Sequence, residues 1–293
     1  MKHATIGVAK FARLTVLVTT GFLAACGAKE IECKSADFEA SDPRCNFYHP
    51  NDVADTPVVI VGDSFWDYGQ GYGAIPKAMI TKTGQTYFEV ARSGAKTAYI
   101  KSVVNGAEAN NPMPPAGAGD IKTILLNGGA NNIRNVCKAG ADDYADRADC
   151  RGVNSTNNTS PETITCLCDD RLTSIEADLN DIMTQLETIE TVDHIVYAGP
   201  QKFPTSQAYA FVQERARAHA SAACSNHSKC SYVDNSVLWD YNGSGCFIWD
   251  NQHVTSVAAS RIADNILNHL LDIGAFGTGT YAYTSVATNI PCE

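Results

Sequence analysis

The chain has 293 residues, of which 44% are hydrophobic and 18% are charged. This composition is typical of a globular protein with one large domain or two small ones, and it excludes intrinsic disorder. The formal net charge is −10, and no Lys/Arg-rich run occurs. Both features exclude a nucleic-acid-binding protein, because phosphate binding needs clustered positive charge.

The first 25 residues predict a targeting segment that is not part of the fold. Three basic residues precede an apolar stretch at 14–25 that is too short to span a bilayer comfortably, which favours a secretory signal. The stretch ends in "LAAC", which resembles the bacterial lipobox, in which the cysteine (here Cys26) is lipidated and becomes the first mature residue. Gly27 follows it, which favours an anchor in the outer membrane. Ordinary cleavage near small residues is the alternative.

The cysteine count supports the same exported compartment. Eleven cysteines leave an odd one, and lipidation of Cys26 accounts for it. The other ten predict five disulfides in an oxidising compartment. Sequence does not fix their connectivity; candidate pairs are Cys33–Cys45, Cys224–Cys230 and Cys246–Cys292. No C-x-x-C pair or four-ligand zinc pattern occurs, so no metal site is predicted.

Strands and helices alternate after a tether at 26–55, and we expect one domain over 56–293. Strands are predicted at 57–61, 86–91, 122–126, 194–198 and 230–233, and helices at 72–83 with an interruption at Pro76, from 97, from 170, at 206–224 and at 255–271. A polar insertion with four cysteines is predicted at 135–169. Buried β-branched strands that alternate with helices predict a three-layer α/β/α sandwich around a mostly parallel, five-stranded sheet.

The first strand ends in an unusual way. In "VVIVGDSFWDYG" (58–69), four β-branched residues stop at Gly62 and Ser64 follows two positions later. Active sites of such folds lie at the carboxyl ends of the strands, so Ser64 is a candidate nucleophile; a strand end capped by small polar residues is the alternative. A serine nucleophile needs a base that a third group orients. His253, with Asp250 three residues before it, is the candidate pair.

Two further strand-end loops could stabilise an oxyanion, which requires hydrogen-bond donors aimed at the developing negative charge. "ARSGAKT" offers the backbone N–H of Gly94, where the missing side chain permits close approach. "NGGANN" offers the side-chain amide of Asn131. Either loop taken alone is also an ordinary turn.

Taken in chain order, these blocks resemble those of the SGNH, or GDSL, hydrolase family. The blocks are Gly-Asp-Ser at 62–64, Ser-Gly at 93–94, Gly-Ala-Asn at 129–131 and Asp-x-x-His at 250–253. The resemblance implies a flavodoxin-like SGNH fold, a catalytic triad and an oxyanion hole. The triad would be Ser64, Asp250 and His253, and the oxyanion donors would be Ser64, Gly94 and Asn131. Asp67 and Gly69 also match the lipase branch, whereas Asn132 stands where the family usually has Asp.

The function that this resemblance implies is an exported serine esterase that forms an acyl-enzyme on Ser64, without a metal or an organic cofactor. Acyl transfer to a sugar or lipid alcohol uses the same intermediate and is the alternative; a non-catalytic binding module on the same scaffold is the third reading. The expected partners are an ester of an acyl lipid or an acylated carbohydrate, and the membrane through Cys26. The expected location is the bacterial cell envelope.

Overall fold

A computed structural model of the chain contains a single five-stranded sheet in the part of the chain that it describes. The strands are β1 (Val58–Val61), β2 (Phe88–Glu89), β3 (Thr123–Leu126), β4 (His194–Ala198) and β5 (Cys230–Val233). The described residues are 57–67, 73–85, 87–107, 113, 121–134, 161–202, 210–239, 245–248 and 253–275. The predicted signal segment, the tether and Asp250 lie outside them.

All neighbouring strands of the sheet are parallel, in the order β2-β1-β3-β4-β5. Each connection between strands that are consecutive in the chain is therefore a crossover, and the described crossovers contain helices. The helices are α1 (Ser64–Asp67), α2 (Ala74–Thr83), α3 (Thr97–Val104), α4 (Ala130–Arg134), α5 (Pro161–Glu187), α6 (Ala210–Ser225) and α7 (Ser256–Asp272).

Alternate residues of each central strand feed two separate hydrophobic cores. In β1, Val59 and Val61 pack with α3, α5 and α6 on one face of the sheet. Val58 and Ile60 pack with α2 and α7 on the other face. Side chains of a strand point alternately to opposite faces, so a strand buried on both sides must be apolar throughout, as β1 is. The predicted three-layer α/β/α sandwich is confirmed, and the sheet is entirely parallel.

The structure differs from the prediction at the second strand and at Pro76. The strand predicted at 86–91 pairs only over Phe88–Glu89, because β2 is an edge strand with a partner on one side; beyond it the N–H groups of Val90 and Arg92 still bond to carbonyls of β1 and Gly62. Pro76 does not interrupt α2, which begins at Ala74. A proline in the first turn breaks no helical hydrogen bond, because the N–H groups there have no intrahelical acceptor.

The helix predicted from 170 begins earlier than expected. Helix α5 begins at Pro161, so nine residues of the insertion predicted at 135–169 are helical and Cys166 and Cys168 lie on the helix. The sequence carried the signal for this start: Ser-Pro-Glu at 160–162 has proline where the first helical residue is favoured.

Helix α6 and strand β5 are joined by a disulfide. The sulfur atoms of Cys224 and Cys230 are 2.08 Å apart, which closes the short connection between these two elements. Cys246 is also disulfide-bonded, and Cys292, the partner predicted for it, lies outside the described residues. The five-disulfide pattern stays a prediction. None of the helices in the described ranges has the length and apolar character needed to cross a membrane.

Candidate active site

Ser64 lies at the point where the sheet changes its winding direction. Strand β1 has β2 on one side and β3 on the other, so the chain leaves β1 toward one edge of the sheet and later continues toward the opposite edge. Loops that diverge in this way open a crevice at the carboxyl ends of the strands, where ligands bind in open α/β sheets. Ser64 directly follows β1 through Gly62 and Asp63, and the fold therefore places it in that crevice.

The residues around Ser64 form a tight turn from strand to helix. Asp63 caps helix α1: its Oδ1 accepts the N–H of Phe65 at 2.9 Å, which satisfies a donor that the first turn of a helix leaves open. Gly62 allows Trp66 to fold back, because a Cβ at position 62 would lie 2.7 Å from Trp66 Cδ1 and 2.8 Å from the Asn127 carbonyl oxygen. Trp66 is fully buried. The indole therefore serves as core, and Ser64 is held at the start of the helix.

Asn131 lies at the carboxyl end of β3, in α4, and reaches the loop that contains Gly94. Its Nδ2 donates to the Ala95 carbonyl oxygen at 3.1 Å and lies 3.5 Å from Asp63 Oδ2. The second contact is long for a hydrogen bond. The structure thus brings together the three blocks of sequence that precede the His block.

The Gly94 loop is also held from the side of α1. Asp67 Oδ2 accepts the N–H of Ser93 at 2.7 Å. Gly94 has φ +76°, a left-handed conformation that glycine adopts without strain, and it is exposed. In the described part of the chain, neither Ser64 nor Gly94 donates its backbone N–H to an acceptor. These two N–H groups are therefore available to an oxyanion.

Asp63, Asp67 and Glu89 form a cluster of carboxyl groups, in which Asp63 and Glu89 are buried and Asp67 is half-buried. Burial raises the pKa of Asp63 to about 6, although the N–H of Phe65 acts in the opposite direction. Burial also raises the pKa of Asp67 to about 7; the Ser93 N–H opposes this shift and the charge of Asp63 adds to it. Burial and the charge of Asp67 raise the pKa of Glu89 well above its ordinary range. The cluster therefore disfavours full ionisation at neutral pH.

His253 precedes the last helix and is held by its backbone. Its carbonyl oxygen accepts the N–H of Ile248 at 2.9 Å, and the next residue, Val254, forms an antiparallel bridge with Phe247. Thr255 then caps α7 by accepting the N–H of Ala258. Ser64 and His253 are not joined by a hydrogen bond here, and active sites without substrate often have long catalytic contacts. The triad with Asp250 stays a prediction.

Two supporting residues, Asp63 and Asp67, were not predicted as site residues. Both lie in the motif "GDSFWDYG", and an acid three residues after the candidate nucleophile was the available signal. The hydrogen bond between Asn132 and Thr97 was not predicted either, and no pattern in the sequence indicates it. Within the described ranges, no group of three or more His, Cys, Asp or Glu side chains could hold a metal ion.

The sequence matches no family model and no curated protein, whereas the structure resembles solved ones. A Streptococcus pneumonia protein described as a platelet activating factor has a TM-score of 0.52 and 13% identity, over 78% of this chain and 89% of that chain. A lipolytic protein of the G-D-S-L family from Desulfitobacterium hafniense has a TM-score of 0.46 and 11% identity, over 72% of this chain and 97% of that chain. The acetylxylan esterase Axe2 from Geobacillus stearothermophilus has a TM-score of 0.46 and 10% identity, over 74% of this chain and 94% of that chain.

The fold is a three-layer α/β/α sandwich around a parallel, five-stranded sheet. Its strand order is the flavodoxin-like one, whose ligand site lies between the first and third strands. At these identities the likeness establishes the fold alone, so the chemistry must be argued from the residues of this chain. In this fold, Ser64, Gly94 and Asn131 follow three adjacent strands and meet at one edge of the sheet.

Proposed function

We propose that this chain is an exported serine esterase that hydrolyses carboxylic esters through an acyl-enzyme on Ser64. The observation that carries the proposal is the meeting of three strand-end blocks at the switch point of the sheet. Asn131 bonds to Ala95 at 3.1 Å and Asp67 bonds to Ser93 at 2.7 Å, so the loop with Gly94 is held beside Ser64 from both sides.

In the proposed reaction, the Ser64 hydroxyl attacks the ester carbonyl carbon while neutral His253 accepts its proton. The imidazolium then gives this proton to the leaving alcohol, which departs and leaves the acyl group on Ser64. Water repeats the sequence: His253 takes a proton from it, the hydroxide adds to the acyl carbon, and Ser64 recovers its proton as the acid leaves. Asp250 orients the imidazole and stabilises its charged form.

The oxyanion formed in each half-reaction would be bound by three donors. The backbone N–H groups of Ser64 and Gly94 are two of them. Asn131 supplies the third: one of its amide protons is given to Ala95, and the other faces Asp63 only at 3.5 Å. We expect the Asn131 amide to donate this weakly held proton to the oxyanion, where a preorganised donor is worth about 3 kcal/mol.

We further propose that Cys26 carries a lipid anchor in the bacterial cell envelope, with the outer membrane as the expected site. The substrate would then be an ester of an acyl lipid or of an acylated carbohydrate. The support for export comes from the sequence: a short apolar segment before Cys26 and ten further cysteines, which suit an oxidising compartment.

Covalent labelling and kinetics test the proposal together. A fluorophosphonate should label Ser64, as located by peptide mass spectrometry. Ser64→Ala and His253→Ala should each reduce p-nitrophenyl acetate hydrolysis about a thousandfold or more, and the double variant should be scarcely slower, because residues that act as one unit are non-additive.

The chain offers a matched control for both substitutions. His269 Nε2 lies 2.7 Å from Ser231 Oγ, a Ser–His pair between α7 and the amino-terminal half of β5, away from the strand ends that carry the site. Ser231→Ala and His269→Ala should therefore leave hydrolysis unchanged. Labelling of another serine, or full activity in His253→Ala, would show that the assignment is wrong.

A further inference from the structure

Asn132 belongs to a hydrogen-bond network that is separate from the proposed triad and the proposed oxyanion donors. Its Oδ1 accepts the backbone N–H of Thr97 at 3.0 Å, and its Nδ2 donates to Thr97 Oγ1 at 2.9 Å. The Thr97 hydroxyl in turn donates to Asp178 Oδ2. Asn132 lies in α4, Thr97 begins α3 and Asp178 lies in α5, so the network joins three helices on one face of the sheet.

The network supplies a cap that helix α3 lacks locally. The capping residue of α3, Lys96, makes no side-chain hydrogen bond to the helix, although the first turn of a helix has N–H groups that need acceptors. Asn132 provides one from a distant part of the chain. Thr97 is fully buried, so its N–H and hydroxyl depend on these protein partners in place of water.

The direction of the hydrogen bonds is fixed by the chemical groups. Asn132 donates to the Thr97 oxygen, so the one Thr97 proton remains for Asp178, and every group has a partner. A carboxylate at position 132 would donate nothing. Two carboxylates, at 132 and 178, would then compete for the single hydroxyl proton. The amide at 132 is therefore matched to the acid at 178.

We infer that Asn132, with Thr97 and Asp178, is a positioning network that sets the oxyanion donors of the proposed esterase. It rests on the proposed function. Asn132 adjoins Asn131, and Thr97, the first residue of α3, directly follows the loop 93–96 that contains Gly94. Movement of Thr97 relative to α4 would displace the Gly94 N–H from the Asn131 amide. Such donors act mainly in the transition state, so a loss of position should lower kcat more than it changes KM.

A charge exchange tests the network. Asn132→Asp should lower kcat about ten- to a hundredfold at nearly constant KM, as expected for misplaced catalytic groups. Adding Asp178→Asn reverses the direction of the hydrogen bonds: the acid at 132 accepts from the Thr97 N–H and hydroxyl, and the amide at 178 donates to Oγ1. The double variant should recover kcat to within about threefold of the unmodified protein.

Asp181 gives a matched control on the same helix. It is an exposed acid that binds Lys101 Nζ at 2.5 Å and has no place in the network. Asn132→Asp combined with Asp181→Asn has the same net charge as the rescued variant but should stay slow. Equal rescue by both partners would overturn the inference, since it would show an effect of net charge only.

Thr97 provides a second route if the variants at 132 fold poorly. Thr97→Ser keeps the hydroxyl and should keep kcat, whereas Thr97→Val removes it at similar volume and should lower kcat; thermal unfolding shows whether each variant is folded at the assay temperature. Unchanged kcat in Asn132→Asp or in Thr97→Val would refute the network. These results are separate from the esterase proposal, which is tested by ester hydrolysis and Ser64 labelling of the unmodified protein and by the activity of His253→Ala.

Discussion

Replacing Asp67 by Asn should make the folded chain less sensitive to rising pH. Asp67 Oδ2 accepts the Ser93 N–H at 2.7 Å, and the amide oxygen of asparagine can do the same. The substitution therefore removes the charge while it keeps the hydrogen bond. The difference in pH dependence between the two proteins therefore measures how much the Asp67 charge destabilises the fold.

The size of the effect follows from the pKa. Burial raises the pKa of Asp67 from 3.8 to about 7. The native carboxyl therefore binds more protons than the unfolded chain between about pH 4 and pH 7, and the free energy of unfolding falls as pH rises through this range. A shift of about three units corresponds to about 4 kcal/mol. This value is an upper limit, because Asp67 keeps some solvent exposure.

Urea unfolding at pH 4.5 and pH 8 measures this contribution of Asp67 to the free energy of unfolding. The unmodified protein should lose stability between the two values, and Asp67→Asn should lose less, by up to about 3 kcal/mol, because pH 4.5 already lies above the unfolded pKa of 3.8. Asp193, an exposed acid 3.8 Å from Lys122, provides the control: Asp193→Asn should keep the original pH dependence. If Asp67→Asn loses as much stability as the unmodified protein, the carboxylate is not disfavoured by burial and the reasoning is refuted.

Three further predictions follow from the site and the sequence. Asn131→Ala should reduce kcat about a hundredfold through the loss of one oxyanion donor; steady-state kinetics with an unchanged rate would remove Asn131 from the hole. Gly62→Ala should lower the free energy of unfolding by about 1–3 kcal/mol through overpacking, because the new Cβ would lie 2.7 Å from Trp66 and 2.8 Å from a backbone oxygen; urea unfolding measures it, and an unaltered midpoint contradicts it. Cys26→Ser should release the protein from the membrane fraction or block its processing, and fractionation by immunoblot should show no change if the anchor is absent.

The sequence by itself determined the layers of the fold and the order of the site blocks. Both signals are local: a strand buried on two faces must be continuously apolar, as at Val58–Val61, and a helix repeats its apolar face every three to four residues. The bounds of β4 and β5 were predicted correctly for this reason. Ser64 at a strand end was visible because the apolar run stops abruptly at Gly62.

Only the tertiary structure decided the contacts that hold the site and set its electrostatics. Thr97 and Asp178 are 81 residues apart in the chain, and no local pattern pairs them, since long-range contacts depend on how separate elements pack. The raised pKa values of Asp63 and Asp67 arise from burial, which is a property of the assembled core. The sequence therefore predicted which groups could react. The packing of separate elements determines which neighbours orient these groups and how readily they ionise.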